Sequence, residues 1–156
     1  MAISRDVAMD LIMDFGAVRA DIDLGGIRLT RLEIATGASQ TVIAIFEPNP
    51  EPMSQASMDV GAADFTVLNL GNLNTERIEI DAGIGDIELG LTGDWRQNAP
   101  GLGVRLVKDT FLTSLDFEGL VKDGDIYYLL DYDDAEYQIT VDIDAAFGSI
   151  RIAWVD

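Results

Sequence analysis

The sequence has no cysteine and no histidine among its 156 residues. The first absence excludes disulfides, thiolate nucleophiles and cysteine-based zinc sites. The second absence excludes an imidazole base, a Ser-His-Asp triad and a histidine metal site. Enzyme classes that depend on these side chains are therefore excluded. Neither a catalytic residue nor a cofactor is predicted.

Basic residues are also scarce, since 10 lysines and arginines stand against 28 aspartates and glutamates, for a formal charge of −18. Such a surface repels the phosphates of nucleic acids and anionic lipid headgroups, which excludes nucleic acid as a partner. The favoured interpretation of the acidity is solubility and the prevention of association between sheet edges. The sharper alternative is attraction of divalent cations or of basic partners.

Long apolar runs are missing as well, because stretches such as Val42–Phe46 contain only a few residues. None approaches the roughly 18–20 residues that a spanning helix needs, so direct membrane insertion by this segment is not expected. The first six residues lack the basic and apolar regions of a secretory signal. A hydrophobic fraction of 48% still provides a sizeable core, and a single domain over residues 1–156 is expected.

What the sequence does contain is a repeat. Its clearest copies are separated by 21, 24 and 22 residues and begin at Gly16, Gly37, Gly61 and Gly83. Alternating stretches such as Gln138–Asp144 predict strands with aliphatic side chains on one face and acids on the other. The predicted fold is an all-β, single-stranded β-solenoid of roughly six to seven coils with about 21–24 residues per coil.

Three further segments extend this prediction. Val141–Ala145 repeats the pattern of Ile78–Ala82 at a distance of 63 residues, which equals three periods of 21. Degenerate coils are therefore expected between the two, at Gly101–Val107 and at Lys122–Leu130. The proline-rich segment Glu47–Pro52 is expected to be a surface loop, because proline cannot donate to a ladder.

These motifs resemble a known family. The Gly-Ala corners and the segment Gly83–Leu89 are similar to bacterial toast-rack and adhesin-like β-solenoid domains of unknown function, which are related to LiaF-like cell-envelope stress proteins. The tail adds Tyr127-Tyr128 and Gly148–Ile152, where the family has a tyrosine-bearing loop before its last coil. The resemblance covers about residues 7–155.

The resemblance implies a non-catalytic scaffold or adhesin-like interaction module at the cell envelope or surface, outside the cytoplasm. Family members are usually anchored to a membrane or by a lipid, and an anchor is absent from this chain. A cytoplasmic location therefore stays open.

The densest carboxylates lie in the tail, at Asp123, Asp125, Asp131, Asp133 and Asp134. Calcium takes six to eight oxygen ligands from such groups. Their spacing fits neither an EF-hand loop nor the nonapeptide repeat of calcium-binding β-helices. They are weak calcium candidates, a solvated acidic loop is favoured, and no metal site is predicted.

Aromatic side chains are the predicted interaction residues, namely Trp95, Tyr127, Tyr128, Tyr132 and Trp154. Aromatic residues anchor interfaces and sugar platforms, although packing in a core or an end cap is their commoner role. Trp154 belongs to the last strand, which is expected to be a terminal rung with an open edge. The predicted partner is another protein, or a second copy bound through the terminal rungs.

Two alternative functions stay open. A carbohydrate-binding or carbohydrate-processing β-helix would use the aromatic residues together with close carboxylates, for which Asp86, Glu88, Asp142 and Asp144 are available. A self-assembling homo-oligomer or filament would stack open solenoid ends head to tail.

Overall fold

The computed structural model describes residues 5–92, 102–117, 119–130, 132–135 and 137–155. Its strands are β1 Met9–Phe15, β2 Val18–Asp23, β3 Leu29–Ala44, β4 Ala56–Leu68, β5 Arg77–Thr92, β6 Leu102–Thr110, β7 Thr113–Phe117, β8 Val121–Asp123, β9 Ile126–Tyr128 and β10 Tyr137–Val155. Two 3-10 turns cover Leu70–Leu73 and Tyr132–Asp134. The predicted all-β class is confirmed. Within these ranges no helix has the length and apolar character needed to cross a membrane.

The long strands stack in parallel in the spatial order β1, β3, β4, β5, β10 and β6. β2 continues the β1 rung beside β3, and β7 continues the β6 rung beside β10. The repeat glycines form a column at the corners of these rungs. A Cβ atom on Gly37, Gly61 or Gly83 would lie 2.9–3.1 Å from the carbonyl oxygen of the preceding repeat glycine. The sequence repeat therefore corresponds to the register of the stacked strands.

Alternation places one face of each long strand in the core. Ile78 and Ile80 of β5, like Val141 and Ile143 of β10, are buried. The chain that returns after β3 forms the opposite wall, where the Ile45 amide donates to the Leu68 carbonyl at 3.1 Å. Because the core lies between the strand wall and the return wall, the charged residues of the alternating pattern face solvent.

β10 is an internal strand. Residues Val141–Ala145 pair in register with Ile78–Ala82 of β5 on one side and with Leu106–Thr110 of β6 on the other. The offset of 63 residues thus marks direct neighbours. Of the two coils predicted between these segments, the one at Gly101–Val107 corresponds to the rung of β6 and β7, but this rung lies on the far side of β10 from β5. Self-similarity determines which residues align, whereas the connecting chain determines which strands become neighbours.

The position of β10 also corrects the expectation for Trp154. Its backbone pairs with Leu91 of β5, and the preceding stretch of β10 from Gly148 to Ile152 pairs with β7. The prediction that the last strand is a terminal rung with an open edge is therefore wrong.

The coil predicted at Lys122–Leu130 is also wrong, because this segment forms the antiparallel hairpin β8–β9 on the outer edge of β6. Gly124 has a φ of 61°, which suits the tight turn between Asp123 and Ile126. The Tyr127 ring packs edge to face on Phe117, with centroids 4.7 Å apart. The hairpin thus covers the outer edge of β6 at Arg105–Val107. At the opposite end of the stack, the β1–β2 rung has β3 as its strand neighbour within the described ranges.

Candidate interaction surfaces

Large apolar side chains are exposed at the corners of three neighbouring rungs. This set, here termed the corner ridge, consists of Ile84 in β5, Phe147 in β10, and Phe111 and Leu112 between β6 and β7, with exposed fractions of 60%, 45%, 65% and 73%. Ile84 and Phe147 are register partners, and the rings of Phe111 and Phe147 meet edge to face at 5.8 Å. The ridge is one contiguous patch, unlike the scattered apolar residues of any protein surface.

The corner itself does not require large side chains. Ala62 is the register partner of Ile84 in β4, and Ala38 is the register partner of Ala62 in β3. Leu112 also has a φ of 47°, a left-handed conformation that costs a non-glycine residue about 1–2 kcal/mol. Burial of the Leu112 side chain does not account for this strain, because the side chain is exposed.

Each rung bends at its corner; we call the strand residues before the corner the first limb and those after it the second limb. A row of aspartates runs beside the ridge on the first limb of the rungs. This aspartate ladder consists of Asp59, Asp81, Asp144 and Asp109, which pair in register on β4, β5, β10 and β6. Neighbouring members are separated by about 4.8 Å, a distance at which like charges repel. All four side chains are exposed, and within the described part of the chain none has an ion-pair or hydrogen-bond partner. The ladder therefore favours a cationic neighbour.

Carboxylates also border the ridge on the second limb. Asp64 and Asp86 are register partners in β4 and β5. Asp86 accepts a hydrogen bond from the Ser149 hydroxyl of β10. The apolar corner thus lies between two acidic borders.

A separate cleft of about 710 Å³ lies where the start of β10 faces the return wall. Tyr132, Tyr137 and Glu76 are among the residues that line it. The Tyr132 hydroxyl lies 3.2 Å from the Thr140 hydroxyl, and the Gln138 side-chain amide donates to the Tyr132 carbonyl at 2.9 Å. The cleft combines aromatic faces with hydrogen-bonding groups, as sugar-binding sites do.

The carboxylates proposed for carbohydrate chemistry do not gather in that cleft. Asp86 and Glu88 line a different trough of about 370 Å³, which has no aromatic side chain among its described lining residues. Asp142 and Asp144 lie on the other limb, where Asp142 is 2.7 Å from the guanidinium of Arg77. None of the four candidate carboxylates is thus among the described residues that line the tyrosine cleft, although Asp142 follows the lining residue Thr140 by two positions on β10.

Comparison with known proteins matches the first part of the chain to a protein family. Residues 1–68 match the N-terminal domain of toast_rack, DUF2154. This match covers less than half of the 156 residues, and over that part the chain is similar to toast-rack domains. The resemblance to toast-rack domains predicted from the repeat is thereby confirmed, whereas the relation to LiaF-like envelope stress proteins stays a prediction. No curated protein matches the sequence.

The fold is also similar to a crystal structure of a "putative cell adhesion protein" from Clostridium sporogenes, with a TM-score of 0.58 and 18% sequence identity. The match covers 98% of this chain and 58% of that protein, so our chain spans less than two thirds of the neighbour's length. At this level of identity the likeness concerns the fold alone.

The structure describes the side chains of three of the aromatic residues predicted for interaction, Tyr127, Tyr128 and Tyr132. Tyr127 and Tyr128 lie half-buried in β9, where the Lys122 ammonium stands 5.6 Å from the centre of the Tyr127 ring. Tyr132 lines the 710 Å³ cleft. Trp154 belongs to internal strand β10, and Trp95 lies outside the described residues. The role of these aromatic residues in binding stays a prediction.

The calcium candidates fall into two places. Asp123 and Asp125 flank the turn of the β8–β9 hairpin, where the Lys108 ammonium lies 3.6 Å from a carboxylate oxygen of Asp125. Asp133 and Asp134 belong to the second 3-10 turn, and Asp131 lies outside the described residues. Among the residues that the structure describes, no group of three or more acidic side chains is arranged to hold a metal ion.

We expect about 5 mM calcium to shift the thermal midpoint of unfolding by less than about 1 °C relative to the same concentration of magnesium, since a bound ion would stabilise the folded state. Lys108 already supplies a positive charge beside Asp125. Differential scanning fluorimetry measures this shift. A calcium-specific rise that disappears in Asp125→Asn would contradict the expectation.

The corner ridge escaped the sequence analysis, although one signal for it was present. Gly83-Ile84 occupies the repeat position where Gly37-Ala38 and Gly61-Ala62 carry alanine. A large apolar residue at a repeat position that alanine occupies elsewhere indicates an exposed apolar side chain at that corner. Phe111 and Leu112 offered no such signal, because the repeat is degenerate in their segment.

Proposed function

We propose that this chain is a non-catalytic, adhesin-like module that binds another protein at a bacterial cell envelope or surface. The observation that carries the proposal is the corner ridge, a contiguous apolar patch exposed on a strongly acidic molecule. Monomeric proteins rarely expose such patches except where they bind a partner. The likeness in fold to the Clostridium sporogenes "putative cell adhesion protein" supports a role in adhesion.

The stacked sheet supports a role in presenting this surface. Phe147 is held in register with Ile84 within a run of pairs from Thr140 to Val155 along β10. Ile84 and Phe147 are therefore held by the ladder, whereas Phe111 and Leu112 lie in the bend between β6 and β7. Residues held by a ladder lose little conformational freedom on binding, so more of their contact energy appears as affinity.

The distribution of polar groups supports a non-catalytic role. Without cysteine or histidine, acid-base chemistry would rest mainly on carboxylates, and glycoside hydrolysis needs two of them flanking one bond. Asp86 and Asp142 stand on different limbs, and Asp142 is paired with Arg77 at 2.7 Å.

Carbohydrate binding is the second candidate, and the tyrosine cleft is the observation that favours it. Tyr132 and Tyr137 line that cleft beside Glu76, and its volume of about 710 Å³ is sufficient for a small sugar. A head-to-tail filament has weaker support, because the β8–β9 hairpin covers the outer edge of β6 and such stacking needs an open edge at both ends.

Binding to bacterial envelope vesicles separates the two candidates. We expect fluorescently labelled protein to sediment with untreated vesicles and with periodate-oxidised vesicles. Digestion of the vesicles with protease should reduce binding at least about tenfold, because a protein partner would be removed. Binding that resists protease and is lost after periodate would instead favour a carbohydrate ligand. Absence of binding to all three preparations would contradict the proposed function.

A further inference from the structure

We infer that the corner ridge is the docking surface for a basic amphipathic helix of a protein partner, which lies along the stack of rungs. This inference rests on the proposed function and gives the partner a chemistry: an apolar stripe flanked on both sides by lysine or arginine. Three features of the surface carry it, namely its apolar centre, its spacing and its acidic borders.

The centre of the ridge has exposed aromatic side chains, as binding hot spots do. Phe147 and Phe111 form an edge-to-face pair at 5.8 Å and still leave much of both rings exposed. Aromatic residues at the centre of an apolar patch dominate the affinity of protein interfaces. Leu112, which keeps a left-handed backbone at φ 47°, extends the patch on its outer side.

The spacing of the ridge suits a helix. Neighbouring rungs lie about 4.8 Å apart, and successive turns of an α-helix are separated by about 5.4 Å. Over the three rungs that carry Ile84, Phe147 and Leu112, the two spacings diverge by only about 1 Å. A helix along the column can therefore place one apolar side chain near each rung, at positions such as i, i+4 and i+7.

The acidic borders select the charge of the helix. Asp81 and Asp144 of the aspartate ladder border the ridge on one limb, while Asp64 and Asp86 border it on the other. Lysine or arginine on both sides of an apolar stripe would face these carboxylates. A second copy of this chain would place aspartates against aspartates, and an anionic membrane would be repelled in the same way.

Synthetic peptides test this chemistry directly. The first is an 18-residue leucine–lysine peptide whose leucines form one helical stripe, the second has the same composition in an order that destroys the stripe, and the third replaces lysine by glutamate. With the full chain, fluorescence anisotropy should show binding of the first peptide at least about tenfold tighter than of the second, and no binding of the third. Binding should weaken as salt screens the carboxylates.

Substitutions locate the binding. Ile84→Ala introduces alanine, the residue that β4 already has at the equivalent position, Ala62. We therefore expect this variant to fold and to bind the first peptide several-fold more weakly. Phe147→Ser should weaken binding about tenfold, because aromatic residues at the centre of an interface dominate its affinity. Phe46→Ser is the matched control, because Phe46 is 66% exposed in the return segment after β3, away from the ridge. Circular dichroism establishes that each variant is folded.

Several results would overturn the inference. Equal binding of both leucine–lysine peptides would indicate unspecific attraction by charge, and equal losses in Phe147→Ser and Phe46→Ser would place the contact elsewhere. Binding of the chain to uncharged phosphatidylcholine vesicles, lost in Phe147→Ser, would assign the ridge to a lipid surface instead. Protease-sensitive envelope binding that Ile84→Ala leaves unchanged would overturn this inference and leave the proposed function standing. Stripe-dependent peptide binding without any envelope binding would contradict the proposed function alone.

Discussion

Gly148→Ala is expected to abolish folding or to destabilise the chain by about 4 kcal/mol or more, since backbone strain and overpacking each cost about 1–3 kcal/mol. A Cβ atom on Gly148 would lie 1.7 Å from the carbonyl oxygen of Gly85, and its φ of 135° is a conformation that side chains rarely adopt. The clash is with backbone in the centre of the sheet, where β5 and β10 pair. Relief would therefore require the ladder itself to move.

Urea denaturation followed by circular dichroism measures this loss. Gly16→Ala is the matched control, because nothing lies within 4 Å of a Cβ atom there, and its free energy of unfolding should stay within about 0.5 kcal/mol of the parent. Gly124→Ala has the same open space but a φ of 61°, so its expected loss of about 1 kcal/mol isolates the backbone strain. A Gly148→Ala midpoint close to that of Gly16→Ala would contradict the described register of β5 and β10.

The repeat made much of the local structure predictable. Gly37, Gly61 and Gly83 stack as the spacing suggested, because a corner in parallel rungs brings successive backbones too close for a larger residue. The match between Val141–Ala145 and Ile78–Ala82 likewise predicted their register. The apolar residues Met9, Leu11 and Met13 also recur at every second position, a spacing typical of a strand, and they lie in β1.

The order of the strands could not be predicted in the same way. Similarity between two segments predicts which of their residues align, but it does not predict which strands become neighbours. The observed order, with β10 beside β5, fits the repeat as well as a stack in chain order does. The hairpin had a local signal, since Gly124-Asp125 between two short strands is a favoured two-residue turn sequence. The number of coils stays a prediction.

The proline-rich segment shows a second limit of sequence patterns. Its prolines Pro48 and Pro50 are exposed, as expected for a surface loop, but Asn49 between them is only 3% exposed. Composition describes the loop as a whole and does not reveal that one polar side chain in it turns into the core. The Asn49 amide NH also donates to the Asn72 carbonyl at 2.8 Å, so the loop is stacked on the next return segment.

Asn49 uses its side chain to close one coil and to join it to the next. Its carboxamide nitrogen donates to the carbonyls of Leu29 at 2.8 Å and Leu73 at 3.1 Å. Its carboxamide oxygen accepts from the amides of Leu29 at 3.0 Å and Glu51 at 3.1 Å. Leu29 begins β3 of the same coil, whereas Leu73 belongs to the return segment of the following coil. A single buried side chain thus satisfies backbone groups from both.

We expect Asn49→Ala to lower the free energy of unfolding by about 4 kcal/mol, because each buried backbone group left without a partner costs about 1–3 kcal/mol and water can reach some of them. Pro48→Ala and Pro50→Ala are the controls, since they alter the stiffness of the same exposed loop and should each cost less than about 1 kcal/mol. Urea denaturation of the three variants provides the comparison. A loss of stability in Asn49→Ala no larger than in the proline variants would show that the carboxamide does not close the coil. The return wall would then be stabilised by the aliphatic core and the strand ladders alone.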